Sequence, residues 1–164
     1  AMLLTDLPAM RARLKALPAL ALTVLAVQLT WGAFTAGLRA GYAISVWPLM
    51  GDELFPAATP MLSPRWLNLF DNPIVVQFVH RWWAFAAAGA MIWLGVKAMR
   101  AGQRRIGMAL HLLVTLQVLL GISTLLTGVE LWVAVAHQGV AALVVAAAAM
   151  SAQAVGARRI GTAG

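Results

Sequence analysis

Of 164 residues, 62% are hydrophobic, 10% are charged and none is cysteine, with a formal net charge of +7. A soluble domain averages about half apolar and a quarter charged residues, so this composition, with a mean hydropathy of +0.85, describes a membrane protein with room for roughly four or five helical spans and no soluble catalytic domain. The lack of cysteine excludes disulfides, zinc-thiolate sites, iron-sulfur clusters, covalent c-type haem attachment and thiol catalysis, and the basic residues punctuate apolar runs instead of forming a basic face, which sets nucleic acid aside.

The first apolar run, 17–37, follows Arg11, Arg13 and Lys15 and is too long for the apolar core of a cleaved secretory signal, so it is predicted as a transmembrane helix. The connection 38–73 contains Pro48, Pro56, Pro60, Pro64 and Pro73 together with Tyr42, Trp47, Phe55, Trp66 and Phe70. It is predicted to fold onto the outer mouth of a bundle, with interfacial anchoring accounting for some of the aromatic residues. Apolar runs at 74–99, 106–127 and 131–155 supply three more spans. Their connections are short and force antiparallel neighbours. The expectation is an all-α integral membrane protein: a four-transmembrane-helix antiparallel bundle, with a long outer loop between helices 1 and 2, forming one domain over 1–164.

Charge orients the bundle. Nine of the twelve Lys and Arg lie before the first span (Arg11, Arg13, Lys15), between the second and third (Lys97, Arg100, Arg104, Arg105) or after the fourth (Arg158, Arg159), accompanied by Asp6. The other side carries Arg39, Arg65 and Arg81 against Asp52, Glu53, Asp71 and Glu130. The positive-inside rule therefore predicts both termini in the cytoplasm.

No Asp or Glu falls within the spans, and ionisable groups in hydrocarbon are expensive, so His80, Arg81, His111 and His137 are the candidates for chemistry. His80 lies six residues into the second predicted span and His137 six residues into the fourth. Both helices enter from the outer face, which places both imidazoles roughly 9 Å below that boundary. Two histidines at one depth on separate helices are what bis-imidazole haem ligation requires, and apolar surroundings suit a flat macrocycle. Interhelical hydrogen bonding is the alternative use of such histidines. A zinc or copper site would want a third or fourth His, Cys or carboxylate at this level, and none is visible. His111 enters from the inner side and is predicted to sit in the opposite leaflet as a partly hydrated histidine. Arg81 suits either a haem propionate or snorkelling to the interface. Gln28, Thr30, Gln117, Ser123, Thr124 and Gln138 suit interhelical hydrogen bonds, with Gln138 also placed to support an imidazole. Gly37 and Gly41 form a G-x-x-x-G, and Gly89, Gly95, Gly121 and Gly139 permit close helix or macrocycle approach.

The segments Trp31-Gly32-Ala33-Phe34-Thr35-Ala36-Gly37-Leu38-Arg39-Ala40-Gly41-Tyr42, Trp47-Pro48-Leu49-Met50, Asn68-Leu69-Phe70-Asp71-Asn72-Pro73 and Val76-Gln77-Phe78-Val79-His80-Arg81 carry a resemblance that continues through Leu119-Leu120-Gly121-Ile122-Ser123-Thr124-Leu125-Leu126 and His137-Gln138. In that order they resemble the C-terminal four-helix half of haem A synthase, in its alphaproteobacterial and mitochondrial form. Members of that family usually pair two four-helix halves and oxidise a ring methyl of haem O to the formyl group of haem A. The resemblance implies that His80 and His137 are axial ligands of a haem b, with Arg81 beside it. It also implies a bacterial inner-membrane location, lipid and haem as partners, and a link to haem O synthase and cytochrome c oxidase assembly. The family's other half carries a glutamate three residues before its first histidine, regarded as important for the oxidation. Gln77 stands at that position here, and an amide cannot act as a carboxylate base. The chain thus resembles the cofactor-binding half without the substrate-binding half: a fragment, one of two chains, or a half-size protein that self-associates. The competing functions are a bis-His membrane cytochrome b that only transfers electrons, and a non-haem structural or assembly protein.

Overall fold

The computed structural model describes residues 10–12 and 14–159; Asp6 and Arg13 lie outside them. Four helices are long and apolar enough to cross a membrane: α1 (Ala16–Gly37), α3 (Pro73–Arg100), α4 (Arg104–Leu126) and α5 (Leu131–Gly156), with the short helix α2 (Asn68–Asp71) just before α3. Each long helix falls within two residues of its predicted span at either end. Their boundaries have local causes. At the start of α3 the Asn72 side chain accepts from the backbone N–H groups of Ile74 (3.1 Å) and Val75 (3.4 Å), and Pro73 occupies the first helical position, where its missing N–H costs nothing. Lys97 and Arg100 in the last turn favour the helix dipole. Gly102, at φ +87°, then turns the chain into α4. Glu130 begins α5, its side-chain carboxylate accepting from Val133 N–H at 2.9 Å.

The helices run up and down. α1 packs on α3, α3 on α4 and α4 on α5; α3 also crosses to α5, and α1 touches α5. The all-α integral membrane bundle expected from hydropathy is the fold observed. Besides helices, the strands β1 (Met10–Ala12) and β2 (Ala157–Arg159) pair antiparallel, with Arg11 opposite Arg158, at one end of the bundle. That is called the terminal end below, and the opposite one the loop end.

Packing divides the bundle along its length. The apolar core consists of Ala21 and Leu25 from α1, Met91 and Leu94 from α3, Leu110 and Val114 from α4, and Val144, Ala147, Ala148 and Ala152 from α5, all in the terminal half. Small residues let these helices approach closely, and Gly95 and Gly107 face each other where α3 meets α4. Toward the loop end, no residue of α4 after Val114 or of α5 before Val144 is buried.

Residues 38–72 lie over α3 at the loop end, as the density of proline and aromatic residues suggested. Gln77 donates to the carbonyl of Ile44 (3.0 Å), and Arg81 to those of Leu49 (2.8 Å) and Pro48 (3.3 Å). Phe55 meets Phe78 edge to face at 5.1 Å, Trp47 stacks near Phe85 at 6.1 Å, and Phe34 meets Phe70 at 5.6 Å. Asn68 ties the loop internally, accepting from Leu62 N–H and donating to the carbonyls of Leu62 and Arg65. Tyr42 and Trp66 are exposed, which fits the anchoring role for those two aromatics.

Candidate functional site

The four candidate residues separate into two levels. His80 and His137 project from the loop-end portions of α3 and α5, seven residues after Pro73 and six after Leu131. His111, near the start of α4, is remote from this pair along the chain of packed helices. Its Nε2 pairs with the carbonyl of Ile92 on α3 at 2.9 Å, so a backbone partner engages the ring and His111 joins α3 to α4.

The two histidines stand in matching surroundings. On α1, the amide nitrogen of Gln28 lies 3.1 Å from His80 Nδ1 and donates to the carbonyl of His80 at 3.2 Å. One turn further, Gly32 presents bare backbone to the ring: a Cβ there would lie 3.1 Å from His80 Cε1. On α4, the amide nitrogen of Gln117 lies 3.4 Å from His137 Nε2, and a Cβ on Gly121 would again lie 3.1 Å from His137 Cε1. A Gln-x-x-x-Gly segment thus faces a histidine twice, α1 against α3 and α4 against α5. The spacing of four places amide and glycine on one helix face. Gln28, Gln117 and Gly121 are visible in the sequence as bundle polarity and helix-packing glycine, but their pairing with particular histidines is not. The distance from glycine to histidine differs between the copies because only the first is interrupted by the long loop.

Arg81 is adjacent to His80 in sequence and points under the loop. It is 5% exposed, Nη1 bonds the loop carbonyls, and the guanidinium lies 5.6 Å from the centre of the Trp47 ring. No carboxylate meets it among the described residues, and Nε and Nη2 are buried without hydrogen-bond partners. Gln77 is likewise buried, its amide nitrogen on the Ile44 carbonyl and its Oε1 unpartnered. Other buried polar atoms without partners lie toward the same end, namely Gln28 Oε1, Trp31 Nε1, Trp82 Nε1, Gln117 Oε1 and His137 Nδ1, whereas Ser151 Oγ is in the terminal half. Unpaired polar groups in an apolar interior are costly, and their concentration toward the loop end marks that half of the bundle as chemically unlike the closed terminal half. Gln138 makes no side-chain hydrogen bond to either imidazole. Among the described residues no three His, Asp or Glu side chains converge, so the arrangement offers two imidazole nitrogens and not a closed metal cage.

Comparison with known proteins places the chain in a family. The profile of the COX15-CtaA family, described as cytochrome oxidase assembly protein, matches residues 3–149. The chain is 53% identical over 142 residues to Heme A synthase of Rhizorhabdus wittichii, covering 87% of this chain and 41% of that protein. It is 44% identical over 137 residues to Heme A synthase of Sphingopyxis alaskensis (84% and 39% covered) and 41% identical over 156 residues to that of Novosphingobium aromaticivorans (91% and 44% covered). This chain spans about two fifths of the length of these relatives. No solved structure matches. With the family profile extending over all but the last turns of the four-helix bundle, the chain belongs to the cytochrome oxidase assembly protein family of COX15-CtaA type.

Proposed function

We infer that this chain is the haem b-binding four-helix unit of a haem A synthase, taking part in oxidation of the haem O methyl group to the formyl group of haem A for cytochrome c oxidase biogenesis. The observation that carries the reading is that His80 and His137, near the loop ends of α3 and α5, each stand against a Gln-x-x-x-Gly segment of a neighbouring helix.

The residues present fit such a group. His80 Nδ1 is taken up by Gln28, and the loop half carries no buried apolar core on α4 or α5 that would have to be displaced. His80 and His137 would hold the iron from two helices. The buried Arg81 has Nε and Nη2 available for a propionate, a match of guanidinium with carboxylate that needs no other counter-charge. When bound, the haem supplies one-electron transfer to the oxidation carried out at a second haem. The protein's own part is to fix the two imidazole rings, to bury them away from bulk water, and to hold the loop over the site through Gln77 and Arg81.

Gln77 offers no carboxylate, so the oxidation itself belongs to a second, unlike four-helix half, supplied by the rest of a longer polypeptide of which this chain is a piece or by another chain. The unit is one domain in the bacterial inner membrane with the basic terminal end in the cytoplasm, near haem O synthase and the assembly path of cytochrome c oxidase. A bis-His cytochrome b acting only in electron transfer would share the site, but relatives named Heme A synthase at 41% to 53% identity favour the first reading.

The test is purification in mild detergent, oxidised and reduced optical spectra, and pyridine-haemochrome quantification. One low-spin haem b per chain is expected. H80A and H137A each abolish that signal and H111A retains it; loss on H111A alone, with the signal surviving H80A, would overturn the assignment. Formation of haem A on adding a complementary half and haem O separates the synthase from a simple cytochrome.

A further inference from the structure

We propose that Gln28 is the positioning residue of His80: its side-chain amide sets the rotation of the ring and, through Nδ1, the electron-donating strength of Nε2. This deepens the reading above and rests on His80 being an iron ligand.

A neutral imidazole carries one proton on its two nitrogens. When Nε2 gives its lone pair to a metal, the proton resides on Nδ1 and calls for an acceptor, and such a partner fixes the ring and raises ligand basicity. Gln28 is the side chain at Nδ1, 3.1 Å away. In the present arrangement its amide nitrogen faces the ring and also reaches the His80 carbonyl, while Oε1 is buried with no partner. Turning the amide over presents that unpartnered oxygen to Nδ1–H and gives up the bond to the His80 carbonyl. The same side chain therefore serves the ring with or without metal, donating in one case and accepting in the other. Gly32, one turn along α1, allows the ring to lie against the helix backbone so that the amide can reach it.

The second copy of the arrangement supplies the contrast. Gln117 approaches His137 at Nε2, at 3.4 Å, and Nδ1 of His137 is buried without a partner. Gln117 thus touches the nitrogen that a metal would take, and Gln28 the one it would leave. The two glutamines are alike in sequence and unlike in role.

The experiment uses the full chain in detergent, titrated with hemin, with EPR spectra and midpoint potentials recorded for wild type, Q28L, Q28E and Q117L after circular dichroism has matched their helix content. Q28L is expected to weaken hemin binding about 10–100-fold, the range for loss of such a partner, and to raise the potential. Q28E, which keeps an acceptor and adds charge, is expected to lower the potential; a packing role alone would move both variants in the same direction. Q117L is expected to shift the potential less than Q28L. Should Q28L misfold, the sign of the Q28E shift decides. Unchanged affinity, EPR spectrum and potential in Q28L and Q28E, with a normal bis-imidazole wild type, would overturn the role of Gln28 alone. A wild type that takes up no hemin, or keeps a low-spin signal in H80A, would overturn the site reading beneath it.

Discussion

At the scale of single residues, the site depends as much on absent side chains as on present ones. Gly32 and Gly121 each leave room for the Cε1 edge of an imidazole, and an added Cβ would come within 3.1 Å of that atom in both cases. The ring facing Gly32 cannot simply retreat, because Gln28 holds it at Nδ1 and α3 carries it. Overpacking of this kind costs about 1–3 kcal/mol. G32A and G121A are therefore expected to lower haem retention while leaving helix content unchanged, measured by haemochrome stoichiometry beside circular dichroism. Arg81 illustrates the converse. A buried guanidinium with no carboxylate partner is expensive in hydrocarbon, and the loop carbonyls of Pro48 and Leu49 satisfy only Nη1. The remaining nitrogens make this arginine suited to an anionic group and poorly suited to a purely structural task.

At the scale of elements, the α3–α4 hairpin is fastened near the terminal end by contacts that tolerate no enlargement. A Cβ on Gly95 would lie 2.6 Å from His111 Nε2 and 3.0 Å from the Gly107 carbonyl oxygen, and the same imidazole bonds the Ile92 carbonyl. G95A is expected to destabilise the bundle by about 1–3 kcal/mol, because backbone must move and not just a flexible side-chain tip. Thermal melting in detergent checks this, and the haem spectrum of material that remains folded should keep its bis-imidazole form. The opposite end of α3 is secured differently. Asn72 caps its first turn, and the loop it emerges from is bound back by Gln77 and by aromatic pairs. Hydrogen bonds to loop carbonyls thus hold the mouth of the bundle, whereas close helix contact holds its base.

At the scale of the whole molecule, the buried apolar core and the candidate site occupy different halves. The buried apolar cluster from Ala21 to Ala152 closes the terminal half, and the loop half contains His80, His137 and most of the unpartnered polar atoms. Leu94, fully buried in that cluster, is the position to test. In a bilayer or detergent the transfer of apolar surface drives little, so the loss falls mainly on packing contacts, and L94A is expected to cost about 2 kcal/mol, the low end for such truncations. Its signature is a lower melting temperature of the haem-free protein. H137A, in the open half, should leave that temperature nearly unchanged while removing the haem signal. Equal effects of the two substitutions on the haem-free melt would show that the halves are not separable.

Hydropathy and charge determined much of this molecule without reference to its fold. Four long apolar runs can satisfy their backbone in a membrane only as helices, and short connections leave neighbours no choice but to run antiparallel. His80 and His137 were legible because an ionisable residue in an apolar run is costly enough to stand out, and counting from the span ends placed both at one depth. The partners of those histidines were not legible. Gln28 and Gly32 precede His80 by about fifty residues, across a loop whose length conceals the likeness to the Gln117, Gly121 and His137 set. Nor does a one-dimensional pattern say that the terminal half packs tightly and the loop half does not, since both are built from the same small and aliphatic residues. Which helix faces which, and which nitrogen an amide reaches, depend on the rotation of each helix about its axis; packing between helices sets that rotation, and only the tertiary structure decided it.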